Sequence, residues 1–243
     1  TVTITGITGQ VTDNTAVGST AVNGITNQWT DGTNVTSNPD DAETITDVAA
    51  PAILATSTLD GDKDGQIDQI LVTLSEAITD GSPTLLNNTT FTVAGYTVSG
   101  TATGSSSAND NQVLISLAES GSGDTDATPD VVLVTAKISD GTNALASDQT
   151  FTGTTDGAAP AIFAANTLDD DKDGQIDQIL VTLSETITDG SSTLDNTTFT
   201  VAGYTVSGTS TGSANDNQVL ISLTESGSGD TDATPDVVLV TAK

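Results

Sequence analysis

The chain has 243 residues, and 33 acidic side chains against 4 lysines give it a formal net charge of −29. Phosphate backbones and anionic lipid headgroups need neutralising Lys or Arg, so this charge argues against nucleic-acid partners and membrane surfaces, and no apolar run approaches the ~18 residues of a membrane span. Cys, His, Met and Arg are absent, which excludes disulfides, thiolate metal sites and His- or Cys-based catalysis.

The acidic composition favours cationic partners, and a divalent metal ion is the simplest of these. A solvated surface adapted to salty water is the alternative interpretation. Val, Ile and Thr are abundant whereas aromatic residues make up 3% of the chain. This composition favours strands and turns over helices and predicts an all-β protein.

Residues 1–50 are predicted to form the C-terminal part of a preceding repeat. Its strands would not make a complete β-sandwich by themselves. Asp31–Asn34 matches Asp140–Asn143, and Ala49–Pro51 matches Ala158–Pro160, both at an offset of 109 without a gap. At this offset Trp29 aligns with Ile138, which favours a core or junction position for the one tryptophan. We expect this segment to be a partial repeat and a candidate donor of strands.

Residues 51–159 predict one complete repeat. Period-two alternation and turn residues indicate strands around Ile70–Leu74, Phe91–Val93, Tyr96–Val98, Val113–Leu117, Val132–Val134 and Gln149–Thr152. The two runs that flank Gly95 read as two strands or as one strand with a bulge. About seven strands in a repeat of just over 100 residues fit an immunoglobulin-like β-sandwich.

Residues 160–243 repeat this pattern. Asp62–Glu76 recurs unchanged as Asp171–Glu185, and Glu119–Lys137 recurs as Glu225–Lys243, while the offset shrinks from 109 to 106. No counterpart of Gln149–Thr152 follows, so this repeat is expected to lack its closing strand. The predicted fold class is therefore all-β, with tandem immunoglobulin-like β-sandwich repeats.

Each repeat carries an Asp-rich loop that predicts a calcium site. Alternate carboxylates on a tight loop direct oxygen ligands at one hard cation, and a glycine permits the sharp turn. The candidate ligands are Asp60, Asp62, Asp64, Gln66 and Asp68 in the first loop, and Asp169, Asp171, Asp173, Gln175 and Asp177 in the second. Position twelve of the EF-hand pattern is Leu71 or Leu180 instead of Glu, so the loop is incomplete. A solvated hairpin turn is the alternative.

A second acidic turn in each repeat offers further carboxylates. The additional candidates are Asp124, Asp126 and Asp130 in the first repeat, and Asp230, Asp232 and Asp236 in the second. Because the Asp-rich loops are incomplete by the EF-hand rule, these residues are the expected source of missing ligands. Such a site predicts a structural calcium ion that stiffens the junction between successive repeats.

The repeated motif resembles a known class of repeats. The string Asp-x-Asp-x-Asp-Gly-x-Ile-Asp that leads into Val-Thr-Leu-Ser-Glu, the Gly123–Pro129 turn and the Asp140–Leu145 segment are similar to the bacterial and archaeal immunoglobulin-like repeats of large cell-surface proteins. The similarity covers about 51–243. It implies extracellular display at the cell surface, with a role in adhesion or lattice building and no catalytic activity.

Two functions follow from this sequence. The first is a structural subunit or segment of a filament, surface layer or stalk whose partners are copies of itself or neighbouring repeats. Within it, head-to-tail donor-strand addition and a window cut from a longer tandem array both explain the unbalanced repeats. The second function is an adhesin module that binds a glycan, host or mineral surface. Carboxylate-pair chemistry remains the one catalytic option, and we expect no enzyme.

Overall fold

The computed structural model describes residues 47–78, 86–104, 109–140, 142–188, 194–211, 213, 215–225 and 227–240. The chain divides into two units, Thr1–Asp47 and Val48–Lys243. All thirteen described strands belong to the second unit. The predicted partial repeat at 1–50 therefore lies, except for 47–50, outside the described residues.

The strands follow one another without described helices. Their bounds are β1 Ile53–Leu59, β2 Gln69–Leu74, β3 Phe91–Val93, β4 Thr97–Thr103, β5 Gln112–Ala118, β6 Val131–Leu133, β7 Gln149–Phe151, β8 Ile162–Leu168, β9 Gln178–Leu183, β10 Phe199–Val201, β11 Thr205–Ser210, β12 Gln218–Thr224 and β13 Val237–Leu239. For the part of the chain that the structure describes, the prediction of an all-β fold in apparent repeats is confirmed, since β8 to β13 follow the order of β1 to β6.

The first repeat (residues 51–159) contains two antiparallel sheets. One has the strand order β1-β2-β5-β4 and the other β3-β6-β7. Inward residues alternate along the strands: Ile70, Val72 and Leu74 on β2 are at most 1% exposed, as period-two patterning requires. Buried side chains from both sheets, Phe91 and Val131 included, belong to one hydrophobic cluster.

The segment after β7 closes this first repeat. Thr155 N–H donates to Thr56 O (2.9 Å) and Thr155 O accepts from Thr58 N–H (3.0 Å), so the chain pairs with β1. The hydroxyls of Thr154 and Thr56 form a buried hydrogen bond of 2.7 Å. β7 itself pairs with β6. The predicted closing strand is thus present, and its continuation joins the two sheets along one side.

The second repeat (residues 160–243) has the same four-stranded sheet, β11-β12-β9-β8, and a two-stranded sheet, β10-β13. A separate hydrophobic cluster fills it. Within its described residues nothing covers β13 in the way that β7 covers β6. Val131 and Leu133 on β6 are fully buried, whereas their counterparts Val237 and Leu239 are partly exposed.

The structure shifts one predicted strand, decides between the two alternatives around Gly95 and adds two strands that were not predicted. The run assigned to Val132–Val134 is the strand Val131–Leu133, because Val131 and Leu133 are the residues that face the core. The residues that flank Gly95 form two strands in different sheets, with Gly95 at a φ of 83° in the turn between them. β1 and β8 carry no clear alternation in sequence and were not anticipated.

Candidate metal centres

The first Asp-rich loop joins β1 to β2. Asp60 shapes it: Oδ1 accepts from Lys63 N–H (2.6 Å) and Oδ2 accepts from Gly65 N–H (2.9 Å). Lys63 and Gly65 have φ values of 66° and 92°. Glycine reaches this left-handed region without the steric cost that Lys63 carries. The loop is therefore a tight turn held by its own first carboxylate.

Three carboxylates converge in this loop. One oxygen from each of Asp60, Asp62 and Asp64 lies within 4.8 Å of the other two. Gln66 Nε2 donates to Asp64 Oδ2 (2.9 Å), and Asp68 Oδ1 accepts from Gly61 N–H (2.9 Å). The fold thus brings three of the five predicted ligands together, and hydrogen bonds tie the other two to the same loop.

The second loop has the same geometry, with a larger acidic group. Oxygens of Asp169, Asp171 and Asp173 converge within 4.8 Å, and a second group of that size joins Asp171, Asp177 and Glu225. Gln175 Nε2 donates to Asp173 Oδ2 (2.8 Å) and Asp177 Oδ1 accepts from Asp170 N–H (3.1 Å).

Two glutamates belong to these loops although the sequence analysis missed them. Glu225 lies in a converging group of the second loop. The pKa of Glu119 is raised, first by the charge of Asp64, and the pKa of Glu225 is raised, first by Asp173. Each glutamate begins the second acidic turn of its repeat, directly after β5 or β12. Its spacing from the Asp-rich loop differs between the repeats, so only the recurrence at equivalent positions could have indicated it.

Asp124 and Asp230 connect the two acidic segments of each repeat. Asp124 Oδ1 accepts from Ile67 N–H (2.8 Å) and Oδ2 accepts from the Tyr96 hydroxyl (2.7 Å). Asp230 accepts from Ile176 N–H and the Tyr204 hydroxyl, both at 2.7 Å. Burial and the Asp124 carboxylate raise the pKa of Tyr96, which keeps its hydroxyl a donor. These two carboxylates therefore anchor the Asp-rich loop.

The other four residues of the second acidic turn lie at the surface. Asp126, Asp130, Asp232 and Asp236 are exposed. In the described part of the chain, the converging carboxylate groups contain none of these four and neither Asp124 nor Asp230. Direct ligation by the second turn stays a prediction.

No known protein family, curated protein or solved structure matches this chain. Membership in the immunoglobulin-like surface repeats therefore stays a prediction. The structure shows antiparallel sheets in apparent repeats, with Asp-rich clusters at equivalent hairpins. None of the described residues forms a helix with the length and apolar character that crossing a membrane requires.

The donor set fits a hard divalent cation. Each loop offers at least three carboxylates and no nitrogen or sulfur ligand, which suits Ca²⁺ better than zinc or copper. Most of these carboxylates are exposed and already accept hydrogen bonds from loop amides. A bound ion would therefore add to a turn that the backbone already forms.

A cavity of about 350 Å³ opens beside β13 in the second repeat. Leu183, Ile187, Phe199 and Leu239 contribute to its wall. Their counterparts in the first repeat, Leu74, Ile78, Phe91 and Leu133, belong to the same buried cluster as Ile138, which is 2% exposed. In the described part of the second repeat, no side chain takes the place of Ile138.

Proposed function

We propose that this protein is a structural subunit or segment of an extracellular cell-surface assembly, built of immunoglobulin-like β-sandwich repeats that calcium stiffens. Non-catalytic assembly suits a chain whose Asp-rich loops gather their carboxylates in turns between strands. The proposal goes further for the second repeat: a strand from the N-terminal region of a neighbouring copy completes it by donor-strand addition, giving a head-to-tail, non-closing polymer.

The observation that carries this proposal is that equivalent edge strands are buried in the first repeat and exposed in the second, although the two repeats are nearly identical in sequence. Thr56 and Thr58 on β1 are 2% and 0% exposed beneath the segment that follows β7. The equivalent residues on β8 are Ala165, which is exposed, and Thr167, which is partly exposed. An apolar strand edge and a cavity beside it favour the addition of another strand.

Residues 29–50 are the donor that the sequence favours. They align without a gap to 138–159, so as a donor this segment would bring Trp29 to the position equivalent to Ile138, beside the cavity. Thr154, whose hydroxyl pairs with Thr56, aligns with Ile45, and Thr56 corresponds to Ala165. The buried hydroxyl pair of the first repeat thus becomes an apolar pair, Ile45 with Ala165, if the donor comes from a second copy. Replacing both polar partners together avoids a buried unsatisfied group.

Calcium has a structural role in this proposal. The three converging carboxylates of each loop would hold the ion, which supplies positive charge that offsets their mutual repulsion. The incomplete loop predicts a dissociation constant in the extracellular range, on the order of 10⁻⁴–10⁻³ M. At free calcium ten times that constant, each site would contribute about 1.4 kcal/mol to stability.

Electron microscopy of the native material, combined with the intact mass of its subunit, tests the assembly. Fibres made of discrete 24.3 kDa subunits would support the polymer. A single much longer chain would overturn donor-strand polymerisation and favour a tandem array. Trp29→Asp is expected to block assembly of the full chain, and a synthetic peptide of residues 26–50 is expected to cap it. Binding of a glycan or mineral surface by non-assembled protein would favour an adhesin instead.

A further inference from the structure

A buried hydrogen bond joins the two repeats. The Thr125 hydroxyl of the first repeat lies 2.6 Å from the Ser184 hydroxyl of the second. Thr125 is 0% exposed and Ser184 is 5% exposed. Ser184 Oγ also accepts from Ala161 N–H (2.9 Å), which fixes its position at the start of the second repeat.

Glycines let the backbones approach closely at this junction. A Cβ at Gly123 would lie 2.7 Å from Ser184 Cα, and a Cβ at Gly65 would lie 3.0 Å from Ser184 Cβ. Phe163 covers the same two glycines. The end face of the first repeat, formed by Gly65, Gly123 and Thr125, therefore fits the start of the second repeat without room for an added methyl group.

The same end face recurs, uncovered, on the second repeat. Its residues are Gly174, Gly229 and Thr231. A Cβ at Gly174 would meet nothing within 4 Å, and one at Gly229 would meet only the Gly174 carbonyl, at 3.4 Å. Thr231 is exposed, whereas the equivalent Thr125 is fully buried.

The matching start face recurs, also exposed, on the first repeat. Ser75 corresponds to Ser184 and likewise accepts from the amide of the alanine that follows the proline, here Ala52 (3.0 Å). Ser75 is nevertheless exposed. Leu54, the counterpart of Phe163, is 60% exposed against 39% for Phe163. One chain thus displays both halves of a contact that it also makes internally.

We infer that the end face of the second repeat (Gly174, Gly229, Thr231) binds the start face of the first repeat (Ala52, Leu54, Ser75) of a second copy. Thr231 and Ser75 then meet as Thr125 and Ser184 do. This inference rests on the proposed assembly and names its second contact surface. A heterologous contact of this kind propagates without closing.

The two contacts are geometrically consistent. Residues 138–159 close the first repeat and lead directly into the second. If residues 29–50 of another copy close the second repeat in the same way, they lead directly into that copy's Pro51 and present its Ser75 to Thr231. At the internal contact Glu185 hydrogen-bonds Thr125 and lies near the charge of Asp126. Their equivalents at the two faces are Glu76 and Asp232, so association works against the repulsion between acidic side chains. We expect it to strengthen with ionic strength.

Cysteine pairs test the contact directly, because the chain has no cysteine of its own. A full chain carrying Thr231→Cys is mixed with one carrying Ser75→Cys under mild oxidation at high salt, and linked peptides are identified by mass spectrometry. The positive control is Thr125→Cys with Ser184→Cys in one chain. The matched negative control pairs Thr231→Cys with Thr92→Cys, an exposed threonine on β3 of the same repeat.

The 231–75 link is expected to form on the order of tenfold faster than the 231–92 link, since docking raises the effective concentration. Equal rates would overturn the inference. As a second measurement, Gly229→Leu, whose Cβ would meet only the Gly174 carbonyl oxygen at 3.4 Å, is expected to weaken self-association in sedimentation by more than about tenfold. An unchanged dissociation constant would also overturn it.

These outcomes separate this inference from the assembly on which it rests. A fast 231–75 link without fibres in the microscope would support the contact between the two faces and contradict the proposed polymer. Fibres whose subunits show no preferential 231–75 link would keep the polymer and exclude these faces as its contact.

Discussion

Gly123 and Gly229 offer a matched pair of substitutions for testing the junction between the repeats. They occupy equivalent positions in identical sequence, Gly-Asp-Thr-Asp. They differ in surroundings, because Gly123 lies against Ser184 whereas Gly229 does not contact another repeat. Alanine at each position therefore adds the same methyl group to a packed and to an open environment.

The expected difference follows from the distances. At Gly123 the methyl carbon would lie 2.7 Å from Ser184 Cα and 3.0 Å from the Ser184 carbonyl oxygen, where ordinary van der Waals contact begins at 3.4 Å. Backbone atoms cannot rotate away, so the junction must open, at a cost of about 1–3 kcal/mol typical of overpacking. At Gly229 the same change removes backbone freedom from the unfolded chain and is expected to stabilise by about 0.4–1 kcal/mol.

Urea unfolding of the full chain measures this difference. The Gly123→Ala variant is expected to unfold at lower urea than Gly229→Ala, and the second repeat is expected to separate from the first as a distinct transition. If Gly123→Ala were as stable as Gly229→Ala, the packed junction between Gly123 and Ser184 would not exist in solution. The same contact could then not be expected between copies.

Three further predictions concern the loops and the junction. Removing calcium with a chelator is expected to lower the melting temperature, because each site loses about 1.4 kcal/mol of stabilisation at tenfold saturation. Asp64→Asn is expected to remove part of that shift, and a melting temperature unmoved by chelator would contradict the calcium role. Burial and then the charges of Asp156 and Asp126 raise the pKa of Glu185, so the folded state favours its protonated form. The contribution of Glu185 to the free energy of unfolding is complete below its ordinary pKa of 4.5 and is lost as the pH rises through the raised pKa. Glu185→Gln should therefore raise the melting temperature at neutral pH and leave it unchanged below pH 4.5; an equal gain at both would contradict the assignment. Tyr96→Phe removes the hydroxyl bond to the Asp124 carboxylate and is expected to cost about 1.5 kcal/mol in urea unfolding, whereas no loss would show that the bond does not form.

The repeat was the part of the fold that could be predicted most fully. Identical strings at offsets of 106 to 109 must adopt similar structures, and alternation along Ile70–Leu74 identified the inner face of β2. β1 was not predicted because Thr56 and Thr58, which are polar, occupy core positions and hide the alternation of apolar and polar residues. Their hydroxyls are satisfied by Thr154, Thr155 and Gly157, about 100 residues later, and sequence patterns do not reveal such distant partners.

The candidate site could be predicted in composition but not in arrangement. Asp60, Asp62 and Asp64 converge because alternate residues of a tight loop point to one side, which spacing alone indicates. The role of Asp124 could not be read in this way. It is acidic like the ligands, yet its carboxylate accepts from Ile67 N–H and the Tyr96 hydroxyl, two groups that only the folded chain brings to it.

The Asp-rich loop and the junction between the repeats share one residue, so a calcium ion in the loop would also affect the proposed assembly. Gly65 has a φ of 92° because the loop turns sharply after Asp64, and the same glycine lies against Ser184 of the next repeat. An ion held by Asp60, Asp62 and Asp64 would reduce the loop's freedom and with it the freedom of this contact. Gly174 has the same turn and lies on the uncovered end face. Calcium in the second loop is therefore expected to rigidify this face and so to strengthen binding of the next copy.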